Sequence, residues 1–317
     1  MLRFVAKRLV LMIPILLGIN LLIFTIMFLS PNDPAVLILG QNATEEAADQ
    51  WREEHGLNDS FLEQYFNNLK DLITGNFGNS YVSGRPVMQD FAQRFPVSLT
   101  FAITGMFVAI LIGIPVGILS AVKQYSAFDY AGLFCALIFA AIPSFWFALL
   151  LILAFAMKIP LFPVSGLSGL SSYVLPTITI GVLNSASILR MTRSTMLEVI
   201  RQDYIRTIRS KGAPEKYIIL KHALKNALLP IITVCGMCFG TLLGGLVVAE
   251  SVFAIPGIGV FLVDAVRNQD RPVVTVVVTL LAFAFSVVNL LVDLLYTSLD
   301  PRIKSEFTRR KRKLQKG

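Results

Sequence analysis

Residues 203–230 read DYIRTIRSKGAPEKYIILKHALKNALLP. A helix from about Thr195 to Lys211 stacks Ile200, Tyr204 and Ile208 on one face at four-residue spacing. Gly212 then stands where a left-handed residue ends a helix, and Pro214 suits the first turn of a second one. That second helix carries Tyr217, Ile218 and Leu220 before Pro230 begins the next apolar run. The expectation is two short helices meeting at a sharp bend, basic and partly apolar. A solvated basic loop needs no Ile and Tyr stripe, so the pair is read as facing either a protein partner or an anionic lipid surface.

Outward from this segment the chain turns apolar. Of its 317 residues, 55% are hydrophobic and only 15% charged, too little polar surface for a soluble domain of this length. The apolar residues gather in blocks near the ~20 residues that a helix needs to cross a bilayer. Six spans are expected: Leu9–Leu29, Val97–Ala121, Tyr130–Met157, Tyr173–Leu189, Ala227–Val248 and Val273–Tyr296. The fourth is short and carries Thr177, Thr179, Asn184, Ser185 and Ser187, which suit a helix facing protein or a wet cavity rather than lipid. The basic N-terminus (Arg3, Lys7, Arg8) resembles a signal peptide, but the apolar run behind it is too long for one and lacks an A-x-A site. It reads as a retained first helix. The fold class is an all-α integral membrane protein with six transmembrane helices.

The net charge of +8 follows the topology better than it follows nucleic acid. With the N-terminus inside, the inner segments hold 21 Lys and Arg and the outer segments 7, so both termini are expected in the cytoplasm. The fourth span is needed for this count, since without it the cluster at 190–225 falls outside. The outer segment 31–95 is too long for a simple connector. Ser60 with Glu63 forms a capping box ahead of Phe61, Leu62, Tyr65, Leu69, Leu72 and Ile73, and Gly75 stops that helix. An earlier short helix follows Thr44 and ends near Gly56. The segment is expected to be a small helical cap on the extracytoplasmic side.

Several chemistries find no residues. No GxxxxGK[ST] loop is present to cradle nucleotide phosphates. His55 and His222 are the only histidines, one outside and one inside, so neither a metal cluster nor a His-based triad is expected. Cys135, Cys235 and Cys238 lie within apolar blocks and read as packing residues. No catalytic, cofactor or metal site is therefore expected. Gly236, Gly240 and Gly244 make a small-residue ridge along the fifth span, suited to close helix packing, a subunit contact or a path lining. Glu250, before Pro256-Gly257-Ile258-Gly259, is expected to pair with Arg267 or Arg271, the alternative being a carboxylate that meets cationic cargo. Asp293 is expected to pair with a basic inner-loop residue.

Asp203 to Gly212, followed by His222-Ala223-Leu224-Lys225-Asn226-Ala227-Leu228-Leu229-Pro230, resembles the EAA-type cytoplasmic loop of ABC importer permeases. It is most similar to the dipeptide, oligopeptide and nickel permease form. The resemblance runs along the chain. Pro31-Asn32-Asp33-Pro34-Ala35 resembles P-G-D-P-A, with Asn32 in place of Gly. Phe77-Gly78-Asn79-Ser80, Arg85-Pro86-Val87, Gly240 to Gly245, Glu250-Ser251-Val252-Phe253 and Pro256 to Gly259 follow in order. Asn289 to Asp293 and Leu299-Asp300-Pro301-Arg302-Ile303 complete the series. Two departures are Ile208, where the second Ala of the motif would be, and Arg206, which replaces an acidic residue.

This resemblance implies the B-type permease subunit of a bacterial or archaeal cytoplasmic membrane importer for peptides or for nickel and metal chelates. The implied partners are a C-type permease, ABC ATPase subunits that use the ATP, an extracytoplasmic solute-binding protein and membrane lipid. The division along the chain is 1–30 (N-terminus and first span), 31–95 (cap), 96–299 (permease domain with a coupling loop at 190–225) and 300–317 (basic tail). The residues implied for ATPase coupling are Tyr204, Arg206, Ile208, Gly212, Ala213, Pro214, Tyr217 and His222. Those implied for the outer gate are Glu250, Phe253, Pro256, Gly257 and Gly259. Rival readings are an ion-coupled secondary transporter, which would need inverted repeats and buried acidic sites, and a membrane scaffold that transports nothing.

Overall fold

The structure is a computed structural model that describes residues 2–40 and 42–299; the basic tail expected at 300–317 lies outside the described residues. All regular elements among them are helical. In chain order they are α1 (Leu2–Phe28), α2 (Pro34–Leu39), α3 (Glu45–Glu54), α4 (Phe61–Thr74), α5 (Val87–Val122), α6 (Ala127–Ala141) and α7 (Ser144–Ile152). There follow α8 (Val174–Ile200), α9 (Asp203–Ser210), α10 (Glu215–Tyr217), α11 (Leu224–Gly245), α12 (Val247–Val252), α13 (Ile258–Arg267) and α14 (Arg271–Leu299). Among the described residues, five helical stretches are long and apolar enough to cross a membrane, or six if one bent pair counts as a span.

That bent pair corrects the third expected span. Tyr130–Met157 is not one rod: α6 and the helix from Ser144 meet at 102°. Pro143 explains the break, because it has no N–H to donate and its ring pushes the preceding residue out of the helical region. Ile142 is indeed extended, at ψ 127. The fifth expected span also differs, with α11 stopping at Gly245 and Pro230 lying inside the helix instead of starting it. The fourth span is far longer than Tyr173–Leu189, running from a 3₁₀ turn at Leu170 through Ile200. Of the polar residues noted on it, Thr179 and Ser185 are buried, whereas Thr177, Asn184 and Ser187 are half-buried.

The chain divides into two compact units. In the first (described residues within 2–99, 243–251 and 256–286) the core is Met27, Val87, Phe91, Ile258, Ala265, Val273, Val274, Val276 and Val277. Asn20, buried in α1, donates to the Thr279 hydroxyl at 3.0 Å and accepts from the Asn68 amide at 3.1 Å, tying α1 to α14 and α4. The segment after α1 is folded as the capping signals require. Asp33 caps α2, Thr44 caps α3, and Ser60 with Glu63 forms both halves of the capping box on α4. Arg52 gathers Asp33, Glu45 and Asp49 around its guanidinium. The Ser80 hydroxyl and the Tyr81 N–H both donate to Asp270, pinning the loop before α5 to the start of α14.

In the second unit (described residues 100–242, 252–255 and 287–299) α5 and α8 meet almost backbone to backbone. A Cβ on Gly113 would lie 2.8 Å from Ile188, and one on Gly117 would lie 2.7 Å from Thr192. Gly105 and Gly181 are packed just as closely, against Ile180 and Val108. The first turn of α6 is fastened to α8 by Asp129, fully buried, which accepts two hydrogen bonds from Arg193 at 2.6 and 2.7 Å and one from the Tyr125 N–H. Both oxygens of the carboxylate are thus matched by the planar fork of the guanidinium.

Candidate functional site

The segment between α8 and α11 does form a bend, with a different construction from the one expected. No single helix runs from Thr195 to Lys211, because α8 ends at Ile200 and Gln202 is extended before α9 begins. Pro214 does not enter a first turn but sits ahead of it as the extended N-cap of α10. α10 is no separate second helix, since it passes through a π-helical turn over Ile218–Ala223 directly into α11. The result is one short helix and the prolonged foot of a long one, joined at 211–214. Gly212 makes the joint: its φ is +77°, a left-handed conformation that a side chain disfavours.

The apolar stripe is mostly consumed within the chain. Ile205, Ile218 and Ile219 are buried with Ala121, Met196, Val199, Ala223, Ala227 and Ile231, while Ile200, Tyr204, Ile208 and Ala213 pack half-buried against them. Contrary to expectation, the stripe packs within the chain: Ile200, Tyr204 and Ile208 anchor the knuckle to its own unit. Among the residues the knuckle leaves exposed are Arg206, Lys211, Gly212, Pro214, Tyr217 and Leu220. Tyr217 carries Lys221 over its ring, with Nζ 4.9 Å from the centroid, and His222 edge-on at 5.1 Å. The Tyr204 hydroxyl accepts from the Asn226 amide at 2.7 Å.

Arg209 closes the bend. It donates to both carboxylate oxygens of Glu215 at 3.0 and 2.6 Å, across the Gly212 turn. This hydrogen-bonded partner raises the affinity of Arg209 for its proton. Neither residue stood out in the sequence, although opposite charges six positions apart around a Gly-Ala-Pro turn are the available signal. Because both side chains are about half exposed, water screens the attraction, and it orients the turn more than it stabilises it.

The second candidate region begins with Glu250 in α12, only 1% exposed. Its expected pairing with Arg267 or Arg271 is not what holds it. Ser98 Oγ donates to one carboxylate oxygen at 2.5 Å, and the Val260 N–H donates to the other at 3.0 Å. Ser98 Oγ in turn accepts from the Ile258 N–H at 2.8 Å. The carboxylate thus collects the otherwise unsatisfied N–H groups at the start of α13, where the helix dipole also favours negative charge. Its two glycines make room: a Cβ on Gly257 would overlap the carboxyl group, and one on Gly259 would come to 3.0 Å from it. Enclosed in this way, Glu250 has no face left for cationic cargo. Of the other residues assigned here, Pro256 is exposed and Phe253 is buried, its carbonyl accepting from the Gly166 N–H at 2.8 Å.

The glycine ridge is uneven. Gly236 lies so close to Val292 that a Cβ would overlap it, and Gly240 is buried, whereas nothing stands within 4 Å of a Cβ on Gly244. Gly113 and Gly117, absent from that ridge, have the same four-residue spacing, and neither leaves room for a Cβ.

Comparison with known proteins finds relatives along nearly all of the chain. Residues 113–305 match the family model described as binding-protein-dependent transport system inner membrane component, and residues 1–102 match its N-terminal companion. The dipeptide transport system permease protein DppB of Alkalihalophilus pseudofirmus is 39% identical, over 96% of this chain and all of that protein. The oligopeptide transport system permease protein AppB of Bacillus subtilis is 38% identical with the same coverage. The glutathione transport system permease protein GsiC of Escherichia coli K12 is 37% identical, over 96% of this chain and 99% of that one. Among solved structures, a chain of the MetNI methionine ABC transporter in an inward-facing conformation superposes with a TM-score of 0.57 at 22% identity, over 68% of this chain and 98% of its own, which speaks to the fold alone. The chain is a multi-pass membrane protein and belongs to the family of binding-protein-dependent transport system inner membrane components.

Proposed function

We propose that this chain is the permease subunit of an ATP-driven importer of peptide-like solutes, coupled to a separate ATPase through the knuckle at 201–222. The observation that carries the reading is the division of labour within that knuckle. Its apolar side chains hold it rigidly to α8 and α11, while Arg206, Lys211, Pro214, Tyr217 and Leu220 are presented outward. A rigid basic surface with one aromatic and one aliphatic side chain suits a groove on a protein partner. The 21 to 7 bias of Lys and Arg favours placing this surface and both termini in the cytoplasm, and 31–95 on the outer side.

A second permease, an ATPase pair and an external binding protein complete the proposed complex. Relatives named for dipeptides, oligopeptides and glutathione favour peptide-like cargo over nickel or metal chelates. The test is uptake of a labelled dipeptide into proteoliposomes holding the complex and ATP. Charging the exposed face with Tyr217→Asp and Leu220→Asp should abolish uptake and ligand-stimulated ATP hydrolysis while the chain still inserts. Uptake that persists without ATP and follows an ion gradient would overturn the reading in favour of a secondary transporter.

A further inference from the structure

With Glu250 held by Ser98 and Val260, Arg271 at the head of α14 is left without a counter-charge. Among the described residues its side chain has no hydrogen-bond acceptor and no ion-pair contact, and its Nε is wholly buried. It lines a cavity of about 210 Å³ with Ser30, Asn32, Asp33, Arg52 and Leu57. The other polar groups near it are already engaged. Asp33 accepts from the Ala35 N–H through one oxygen and from Arg52 through the other. Asp270, next to Arg271 in the chain, takes the Ser80 hydroxyl and the Tyr81 N–H. Burial pushes the Tyr81 hydroxyl up to about 12, so it stays neutral. A guanidinium keeps its charge, and withdrawing it from water without a partner is costly. What is missing is an anion from outside the chain.

The level of the cavity says where that anion comes from. The Asn20 amide donates to Thr279, and Met27, further along α1, shares a core with Val273 and Val274, nearer the start of α14. α1 and α14 therefore run antiparallel. Eight residues on from Asn20 is Phe28, where the apolar span of α1 ends. Eight residues back from Thr279 is Arg271, where the span of α14 begins. Each lies about 12 Å from the same hydrogen bond, so the two span ends coincide. The cavity, lined by the residues just after one end and by the other end itself, sits at the boundary between acyl chains and headgroups. In that layer the abundant anion is the phosphate group of a phospholipid.

The opposite wall selects among phospholipids. Arg52 is shared among Asp33, Glu45 and Asp49, so that side of the cavity is net acidic and favours an ammonium over a second anion. The volume is below the roughly 300–1,000 Å³ of pockets that enclose drug-sized ligands, so a head group fits and the rest of its molecule lies outside. We propose that Arg271 and this cavity bind the zwitterionic head group of phosphatidylethanolamine, the guanidinium donating to the phosphate and the Asp33 wall facing the ammonium. On its approach to Ser30, α1 exposes Leu22, Ile26 and Leu29, an apolar surface for the acyl chains. The inference requires that α1 and α14 span the bilayer and is independent of what the chain transports.

Native mass spectrometry tests this on the full chain in the assembly with which it purifies, stripped of lipid in detergent and then given dioleoyl phosphatidylethanolamine. The natural assembly should retain one more lipid per copy of this chain than Arg271→Gln does. Asn32→Trp, at an exposed position of the cavity wall, obstructs the site without touching the charge and should lose the same lipid. Arg271→Lys should keep it. Dioleoyl phosphatidylglycerol, which lacks the ammonium, should be retained several-fold less well. Equal retention by the natural chain, Arg271→Gln and Asn32→Trp would overturn the site, and equal retention of the two lipids would overturn its zwitterionic character. Displacement of the lipid by an equal concentration of glycerophosphoethanolamine or dialanine would overturn the lipid assignment in favour of a soluble zwitterion. Should Arg271→Gln fail to assemble, Asn32→Trp decides alone.

Discussion

Gly212 in the knuckle and Gly257 beside Glu250 are both turn glycines just ahead of a helix. Gly212 has φ +77° and nothing within 4 Å of where a Cβ would stand, so it is needed for its backbone. Gly257 has an ordinary extended φ of −91°, but a Cβ there would overlap the carboxyl group of Glu250, so it is needed for its emptiness. The regions around them differ in the same sense. The knuckle keeps its charges on the surface, whereas the Glu250 region encloses one carboxylate within hydrogen bonds. A turn glycine therefore says that a side chain is unwelcome, and only the fold says why.

Substitutions at these positions can break the comparison. The largest effect is expected from Gly257→Ala, which forces the carboxylate off its donors and should destabilise the chain by about 3 kcal/mol, the upper end for overpacking; thermal unfolding of the purified complex measures it. Adding Glu250→Ala should recover part of that loss, a coupling that a double-mutant cycle reads directly. Alone, Glu250→Ala strands the Ser98 hydroxyl and the Val260 N–H and should cost about 2 kcal/mol, with Glu250→Gln milder because one oxygen still accepts. If both variants unfold like the natural chain, Glu250 is not the latch described.

Gly212→Ala should cost about 1 kcal/mol and Gly212→Asn clearly less, since Asn tolerates the left-handed region. Equal effects would mean that space, not conformation, matters there too. Smallest is Glu215→Gln, which removes an exposed ion pair and should change stability by about 0.5 kcal/mol or less. Raising the salt concentration should shrink that difference further, and a salt-independent loss would show the pair to be more than a surface contact.

Much of the fold was legible because a bilayer demands long apolar runs, and five of the six expected spans correspond to single long helices. The third did not, although Ile142-Pro143 was in plain view; hydropathy averages over the one dipeptide that bends the run by 102°. The knuckle's position and its glycine were legible from local chemistry, but the destination of Ile205 and Tyr204 depended on partners such as Ala121 and Ile231, distant in sequence. Glu250 was the hardest to read. Its donors come from Ser98 and Val260, and no local pattern announces that a hydroxyl 152 residues away will replace the expected arginine.

The tight seam between α5 and α8 has a mechanical meaning. Where Gly105, Gly113, Gly117 and Gly181 bring two helices into near-bare contact, there is no cushion of flexible side chains to yield. α8 runs unbroken from this seam to the foot of the knuckle and is clamped on its way by Arg193 and Asp129. A displacement of the knuckle is thus delivered along a stiff rod into a joint without slack, and α5 must follow it or the seam must open.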